Sequence, residues 1–278
     1  MNSAGTTVPA VVGPVIAVLG LGEAGSLIAR DLITAGAVVR GYDPAVSEVA
    51  GVTGAAGYVS AASDAEACAG AHLVLSVNSA KEAVAALRAS LEAIRPEADA
   101  PGAVWADLNT ASPGVKRELA ELGKPHGIRV TDVAMMAPVP GKGLRVPMLA
   151  SGDGADAVAA TLEPLGADIA VLDGPAGLAA TRKLLRSVFY KGMAASIVEA
   201  IEAARAAGLA DWLHAHIAEE LAKADVTTVD RIVTGTTRHA VRRGAEMAAA
   251  AAMLTELGVP PIMADASRQL HERLAAEL

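Results

Sequence analysis

The chain contains a single cysteine, Cys68, and very few aromatic residues: two tryptophans, three tyrosines and one phenylalanine among 278 residues. One cysteine cannot form an internal disulfide, which is typical of a protein in the reducing cytoplasm. Apolar residues make up 53% of the chain, while aromatic residues make up only 2%. The hydrophobic core must therefore be built mostly from aliphatic side chains.

Other features are missing as well, and each absence excludes a class of protein. No apolar run reaches the roughly 18 residues that span a bilayer. Residues 1–13 lack the basic segment and long apolar core of a signal peptide, so we expect a flexible tail. The net charge of −8, without a basic stripe or aromatic platform, argues against a nucleic-acid partner. The six histidines show no metal-ligand spacing, so no metal is expected. The sequence favours a soluble cytoplasmic protein.

The most informative segment of the chain is a glycine motif between a predicted strand and a predicted helix. The apolar run Val15–Leu19 is followed by Gly20-x-Gly22-x-x-Gly25 and then by a helical pattern from Ser26 to Gly36. In this setting the first glycine permits a tight turn, the second lets the backbone approach a pyrophosphate, and the third allows close packing of helix on strand. The free N–H groups at the start of the helix would bind the phosphates. The segment predicts a dinucleotide-binding loop.

A carboxylate ends the next predicted strand. Asp43 closes the apolar run Ala37–Asp43 and lies 18 residues after Gly25. An acid at this place accepts hydrogen bonds from the ribose hydroxyls of NAD and repels the 2′-phosphate of NADP. No arginine or lysine follows Asp43; Pro44 does, so NAD is favoured over NADP. Asp-Pro is also a common turn sequence, which is the alternative role for Asp43.

Strand-like and helical patterns alternate up to residue 173 and become purely helical afterwards. The predicted strands are Val15–Leu19, Ala37–Asp43, His72–Val77, Ala103–Asp107, Ile128–Val133, Pro147–Ala150 and Ile169–Leu172, with helices over Ala80–Ile94 and Pro113–Gly123 between them. Alternation of this kind predicts a mainly parallel sheet. Helices are then expected over Leu178–Ala207, 211–223, 226–233, 237–257 and 261–276. The fold class is α/β: a Rossmann doubly wound sheet over 14–173, followed by an all-α domain over 174–278.

Polar residues follow two of these strands. Val77 ends the third predicted strand and is followed by Asn78 and Ser79, and Asn109 and Thr110 come after the fourth. Loops at the carboxyl ends of parallel strands bind ligands in open α/β sheets. These five residues are therefore candidate cofactor contacts, although helix capping is a strong alternative for Ser79 and Thr110.

Four motifs together resemble the β-hydroxyacid dehydrogenases, a superfamily that includes 3-hydroxyisobutyrate dehydrogenase, tartronate semialdehyde reductase and 6-phosphogluconate dehydrogenase. The resemblance covers nearly the whole chain after the tail. The matching segments are Ile16–Gly25, Asp107–Pro113, Gly177–Ser187 and Glu199–Leu209. The chain is most similar to a phosphogluconate dehydrogenase-like subgroup that has a distinct C-terminal domain.

The resemblance implies roles for particular residues. Lys183 matches the catalytic lysine, and Asn109 and Thr110 would lie near nicotinamide and substrate. The cofactor-binding loop would comprise Gly20, Leu21, Gly22, Glu23, Ala24 and Gly25. Two substrate positions depart from the family pattern: Met136, Ala137 and Pro138 replace Ser-Gly-Gly, and Ser187 replaces an asparagine. With Lys191, these residues are the candidate substrate contacts, and related enzymes imply a homodimer.

The chemistry of Lys183 can be argued without the family. A lysine at the mouth of a cofactor cleft can carry the proton that accompanies hydride transfer if burial lowers its pKa. Because residues four apart share a helix face, Lys183, Ser187 and Lys191 would point the same way. The alternative for Lys183 is a solvated surface lysine.

The leading hypothesis is an NAD(P)-dependent dehydrogenase or reductase that interconverts a small hydroxy acid, or a related alcohol, and its carbonyl compound. An imine reductase or reductive aminase is the first alternative, although that family usually has aspartate or tyrosine at the position of Lys183. A dinucleotide-binding protein without turnover, such as a redox sensor, is the second alternative.

Overall fold

The computed structural model describes residues 13–94 and 104–278. The predicted tail therefore lies outside the described residues apart from Gly13, as does the start of the strand predicted from Ala103. The chain divides into two compact units, the first ending at Leu185 and the second running from Arg186 to Leu278. This division falls later than the predicted domain boundary after residue 173, because the first turns of the long helix bury Ala179 and Ala180.

The first unit contains an eight-stranded sheet. Its strands are β1 (Val15–Leu19), β2 (Val38–Tyr42), β3 (Tyr58–Ser60), β4 (Leu73–Ser76), β5 (Val104–Asp107), β6 (Arg129–Met135), β7 (Met148–Ser151) and β8 (Ile169–Val171). Their spatial order is β3-β2-β1-β4-β5-β6-β7-β8, and every neighbouring pair is parallel except β6 and β7. The chain order reverses between β1 and β4, which is the switch point where ligands bind in such sheets.

The helices follow the strands of the first unit and then form the second unit. Their bounds are α1 (Glu23–Thr34), α2 (Asp64–Cys68), α3 (Ala83–Ser90), α4 (Pro113–Gly123), α5 (Ala155–Leu162), α6 (Leu178–Ala206), α7 (Ala210–Ala222), α8 (Thr228–Arg238), α9 (Ala240–Glu256) and α10 (Ile262–Ala276). The predicted fold class, a Rossmann sheet followed by an all-helical region, is confirmed.

Three of these strands and helices were not predicted from the sequence, and several boundaries are displaced, such as those of α3, which was predicted over Ala80–Ile94. Strand β3 has three residues at the sheet edge, α2 has only five residues, and half of α5 is alanine, so none of them shows a clear periodic pattern. The break predicted between residues 233 and 237 instead lies at His239. Gly235 and the neighbouring threonines are poor helix formers, but single-residue propensity is a weak guide.

The core of the first unit lies on both faces of the sheet. Along β1, Ile16 and Val18 join one buried apolar cluster while Ala17 and Leu19 join the other. This alternation is the consequence of the two-residue period of a strand. The expectation of an aliphatic core agrees with both clusters, in which Trp105 is the one fully buried aromatic side chain among the described residues.

The second unit has a smaller core. Ala203, Ala251, Leu254 and Ala264 form its buried apolar cluster. Glu199, from one of the family-like motifs, accepts hydrogen bonds from the backbone N–H groups of Met263 (2.7 Å) and Ala264 (2.8 Å) at the start of α10. A carboxylate at a helix N-terminus is favourable because it satisfies free N–H groups and opposes the helix dipole. Within the described part of the chain, no helix is both long and apolar enough to cross a membrane.

Candidate active site

The glycine loop between β1 and α1 has the geometry of a phosphate-binding turn. Gly20 has a φ of 96°, and a Cβ there would lie 2.7 Å from the backbone of Asn78. A Cβ on Gly25 would lie 1.9 Å from the carbonyl oxygen of Gly20. A Cβ on Gly22, in contrast, would meet no described atom within 4 Å. Gly20 and Gly25 thus permit the turn and the helix packing, while the space beside Gly22 is open to a pyrophosphate.

Asp43 is bound to this loop. One carboxylate oxygen, Oδ2, accepts a hydrogen bond from the backbone N–H of Leu21 at 2.8 Å. The other, Oδ1, accepts one from the N–H of Ala45, also at 2.8 Å, which is the turn role considered for Asp43. Because each carboxylate oxygen can accept about two hydrogen bonds, Asp43 retains acceptor capacity for ribose hydroxyls. Val77, after β4, also lies near this loop, because its Cβ would be 3.7 Å from a Cβ on Gly25.

The loops after β4 and β5 meet through their amide side chains. Asn109 Nδ2 lies 2.9 Å from Asn78 Oδ1, 3.0 Å from Ser76 Oγ and 2.5 Å from Asp107 Oδ1. The Ser79 hydroxyl accepts a hydrogen bond from the N–H of Glu82 at 3.3 Å in the turn before α3, whose N-cap residue is Glu82 and not Ser79. Thr110 does not cap α4, because Ser112 takes that role. Both loops therefore lie at the carboxyl edge of the sheet, beside the phosphate loop.

Lys183 reaches this edge from α6. Its Nζ atom donates a hydrogen bond to Thr110 Oγ1 at 2.8 Å. A small cleft is lined by Asn109, Thr110, Ala111, Asp132, Val133, Ala134, Ala180, Lys183 and Leu184. The structure thus brings together the candidate acid/base and the two polar residues predicted to lie near nicotinamide.

The start of α6 is fixed by buried side chains from the sheet. Asp132 Oδ2, on β6, accepts hydrogen bonds from the N–H groups of Gly177 (3.1 Å) and Ala180 (2.8 Å). Ser151 Oγ, on β7, accepts one from the N–H of Ala179 at 3.0 Å. The first N–H groups of a helix otherwise lack partners, so these contacts determine where α6 begins and how it is directed.

Sequence reasoning missed a buried ion cluster below the cleft, formed by Lys116, Asp107 and Asp132. Lys116 Nζ lies 2.6 Å from Asp107 Oδ2 and 3.2 Å from Asp132 Oδ1, and none of the three side chains is more than 1% exposed. A signal was present in the sequence. Lys116 shares the buried face of α4 with Leu119 and Gly123, where a lysine is unusual.

The candidate substrate residues are distributed over both units. Met136 and Ala137 are half-buried and Pro138 is exposed in the loop after β6. That loop is held to α1, because Asp31 Oδ2 accepts a hydrogen bond from the N–H of Leu144 at 2.9 Å. Ser187 and Lys191 belong to the second unit, one and two turns further along α6 than Lys183. Over residues 13–94 and 104–278, no group of three or more His, Cys, Asp or Glu side chains could hold a metal ion.

Two family models match the chain. Residues 15–170 match the NAD binding domain of 6-phosphogluconate dehydrogenase. Residues 204–274 match a domain of unknown function, DUF1932. A protein of Mycobacterium tuberculosis described as a probable 3-hydroxyisobutyrate dehydrogenase is 32% identical over 201 residues, which are 70% of this chain and 65% of that protein. The aligned part of the chain spans 65–66% of the length of the curated relatives it matches.

Solved structures share the fold over nearly the whole chain. A conserved protein of unknown function, described as similar to 3-hydroxyacid dehydrogenases, is 24% identical with a TM-score of 0.62, covering 94% of this chain and 96% of that one. An imine reductase variant from Myxococcus stipitatus in complex with NAD⁺ is 20% identical with a TM-score of 0.77, covering 95% and 94%. At these identities the similarity shows the fold alone.

The family match covers the elements that build the phosphate loop, Asp43 and the polar loops after β4 and β5. The geometry of those elements suits a dinucleotide, since the space beside Gly22 is open and the acceptors of Asp43 lie next to the loop. The chain therefore belongs to the family of the NAD binding domain of 6-phosphogluconate dehydrogenase, within the β-hydroxyacid dehydrogenase superfamily, and its cofactor is a nicotinamide dinucleotide.

Proposed function

We propose that this protein is an NAD-dependent oxidoreductase that interconverts a small hydroxy acid, or a related alcohol, and its carbonyl compound. The observation that carries the proposal is the hydrogen bond of 2.8 Å between Lys183 Nζ and Thr110 Oγ1, next to Asn109 at the carboxyl edge of the sheet. It provides a proton carrier at a small cleft that the polar side chains of Asn109 and Thr110 also line. When bound, the nicotinamide ring accepts or delivers the hydride.

Lys183 acts as the general acid/base in this proposal. In the oxidative direction the neutral amine takes the proton of the substrate hydroxyl. The carbon that bears this hydroxyl loses its hydride, so that a carbonyl forms. In the reductive direction the ammonium returns that proton to the developing alkoxide. Thr110 holds Lys183 Nζ in a fixed direction, which suits proton transfer because donor and acceptor must be within hydrogen-bond reach.

The preference for NAD over NADP rests on Asp43. Its carboxylate lies beside the phosphate loop and retains acceptor capacity for the ribose. A negative charge at this place would repel a 2′-phosphate, and the residues directly after it, Pro44 and Ala45, offer no cation to offset that repulsion.

The proposed substrate contacts are the segment Met136, Ala137 and Pro138, together with Ser187 and Lys191. The segment offers a half-buried apolar surface and no side-chain hydroxyl. Ser187 could donate a hydrogen bond and Lys191 a positive charge to a carboxylate. Because apolar residues replace the usual Ser-Gly-Gly, we expect a bulkier or less polar substrate than the smallest hydroxy acids.

The second unit supports a homodimer as the functional assembly. It leaves several large apolar side chains exposed, including Phe189, Trp212, Val226, Val229 and Val233. It also has an apolar groove of about 550 Å³, lined in part by Ala203, Met247 and Met263. Exposed apolar surface of this extent commonly marks an interaction site.

The cytoplasm is the proposed compartment. The thiol of Cys68 is buried and its pKa is raised by that burial to about 12, which suits a reducing environment.

Reduction of imines is the second candidate function, because the imine reductase fold covers 95% of the chain with a TM-score of 0.77. The two reactions are separated by presenting a panel of hydroxy acids with NAD⁺ and a panel of cyclic imines with NADH or NADPH. NADH formation from a hydroxy acid supports the proposal. Turnover of imines alone would replace it with the second candidate, and tight NADH binding without any turnover would indicate a binding protein.

A further inference from the structure

The buried ion cluster has more carboxylates than cations. Asp107 and Asp132 occupy paired positions on the neighbouring parallel strands β5 and β6. Two like charges at such positions repel each other, and Lys116 stands between them. The formal charge of the cluster is one negative unit in a region closed to water. A buried ion pair of this kind is weak evidence for stability, since apolar side chains of similar size often stabilise a core equally well.

The two carboxylates extend in opposite directions from Lys116. Asp107 uses its second oxygen, Oδ1, to accept a hydrogen bond from Asn109, the neighbour of Thr110. Asp132 uses its second oxygen, Oδ2, to accept the N–H groups of Gly177 and Ala180 at the start of α6. Each carboxylate thus connects Lys116 to a different segment of the cleft.

The two segments meet again at the proposed acid/base. Lys183 lies three residues after Ala180 and therefore close to the same helix face. Its Nζ atom donates to Thr110 on the other segment. The contacts consequently form a closed ring. On one side, Lys116 is connected through Asp107 and Asn109 to Thr110, which accepts the hydrogen bond of Lys183. On the other side, Lys116 is connected through Asp132 to the start of α6, the helix that carries Lys183.

We propose that Lys116 is a positioning residue for Lys183: by pairing with both Asp107 and Asp132 it holds the loop after β5 and the start of α6 at the spacing that the Lys183–Thr110 hydrogen bond requires. The inference rests on the proposed function, because it gives the cluster a role only if Lys183 needs a fixed position. Lys116 itself is closed to solvent, with 1% exposure, so it would act through its two partners.

The test measures how freely the Lys183 amine reacts in the protein without cofactor or substrate. Acetylation of Lys183 by acetic anhydride at a fixed pH is followed by mass spectrometry. Thr110→Val supplies the reference rate for an amine released from its acceptor. We expect Lys116→Met to raise the Lys183 acetylation rate toward that reference, by about 2- to 10-fold, the factor that corresponds to the loss of one hydrogen bond.

A double variant separates positioning from stability. Lys116→Met alone leaves two unpaired carboxylates and could prevent folding. Lys116→Met/Asp107→Asn keeps one negative unit in the cluster, as in the wild type, and leaves Asp132 to cap α6. We expect the double variant to regain most of the thermal stability while the Lys183 acetylation rate stays raised. A rate equal to that of the wild type in the double variant would overturn the inference.

Ser151→Ala is the matched control. It removes a hydrogen bond to the same turn of α6, that of Ala179, without touching the ion cluster. Its Lys183 acetylation rate should stay close to that of the wild type, because Asp132 still accepts two of the N–H groups at the start of α6. An increase as large as that of the double variant would mean that any loss of capping releases Lys183, and the specific role of Lys116 would be wrong. Because no turnover is measured, these results stand even if Lys183→Met proves active, which is the outcome that would refute the proposed acid/base role of Lys183.

Discussion

The two units differ in which apolar and charged side chains they bury and which they leave exposed. The first unit buries two large apolar clusters against the faces of one sheet and also buries a lysine and two aspartates. The second unit buries mainly alanine and leaves Phe189, Trp212 and Val226 exposed. The first unit therefore covers most of its own large apolar side chains, whereas the second has apolar surface that water does not favour. Cofactor binding is accordingly expected from the first unit, and association from the second.

The largest expected effect tests whether the first unit alone provides the dinucleotide site. Gly22→Val should abolish NAD binding, because the side chain would occupy the space open to the pyrophosphate. It should leave the melting temperature close to that of the wild type, since a Cβ at Gly22 meets no described atom. Titration calorimetry and circular dichroism measure the two quantities. Gly25→Val is the contrasting variant: its Cβ would overlap the carbonyl of Gly20, so stability should fall as well.

The next effect concerns catalysis. Lys183→Met keeps much of the side-chain volume and removes the amine, so kcat should fall by about 10²–10⁴, the usual contribution of a positioned acid/base. NAD affinity should remain within a few-fold, because the phosphates bind at Gly20–Gly25. Steady-state kinetics and NADH titration provide the measurements.

Lys191→Met is the companion variant, two turns along the same helix but in the second unit. It should raise KM for an anionic substrate more than it lowers kcat. If Lys183→Met retained full activity while Lys191→Met lost it, the acid/base role would belong to Lys191.

A third prediction tests how tightly the first unit is closed. Lys116→Met should lower the free energy of unfolding by about 3–5 kcal/mol, since removing one partner leaves buried charge uncompensated. Denaturant titration measures the loss. Lys223→Met, which breaks an exposed ion pair with Glu220, should leave it nearly unchanged. Equal effects from the two variants would contradict the buried role of Lys116.

The apolar surface of the second unit is tested by its association. Trp212 is 62% exposed and stacks on His216, and a tryptophan at an interface centre typically contributes about 2 kcal/mol or more. Trp212→Asp should therefore weaken a dimer, which sedimentation at micromolar concentration detects. A wild-type protein that sediments as a monomer would show that this surface has another role.

The smallest effect is one of selectivity. Asp43→Ala should weaken the binding of NAD by about 1.5–3 kcal/mol, the range for hydrogen bonds to a charged group. The binding of NADP should be weakened less, because the same change removes repulsion of its 2′-phosphate. The ratio of the two dissociation constants is the measurement. A wild type that binds NADP more tightly than NAD would contradict the role given to Asp43.

Local signals explain why much of the fold could be predicted. The pattern of a strand, of a glycine turn or of a regular helix is visible within a short stretch of sequence. For this reason β1, α1 and β2 lie close to the predicted segments. Elements too short to show a period, such as β3 and α2, could not be found in this way. The edge strand β3 is defined by its pairing with β2, which is a contact between segments distant in the sequence.

The sequence by itself determined the cofactor class, because the phosphate loop and its carboxylate are encoded in one continuous stretch. The family resemblance, and not that stretch, indicated Lys183 as the candidate acid/base. Only the tertiary structure decided that Lys183 meets Thr110 and that Asp107 faces Asp132. These partners are far apart in the chain, and their contact depends on the order of the strands and on where α6 begins. The tertiary structure also decided that Lys116 is buried in an ion cluster. A lysine on a helix is ordinarily solvated, and it needs buried carboxylates as partners where the fold removes water.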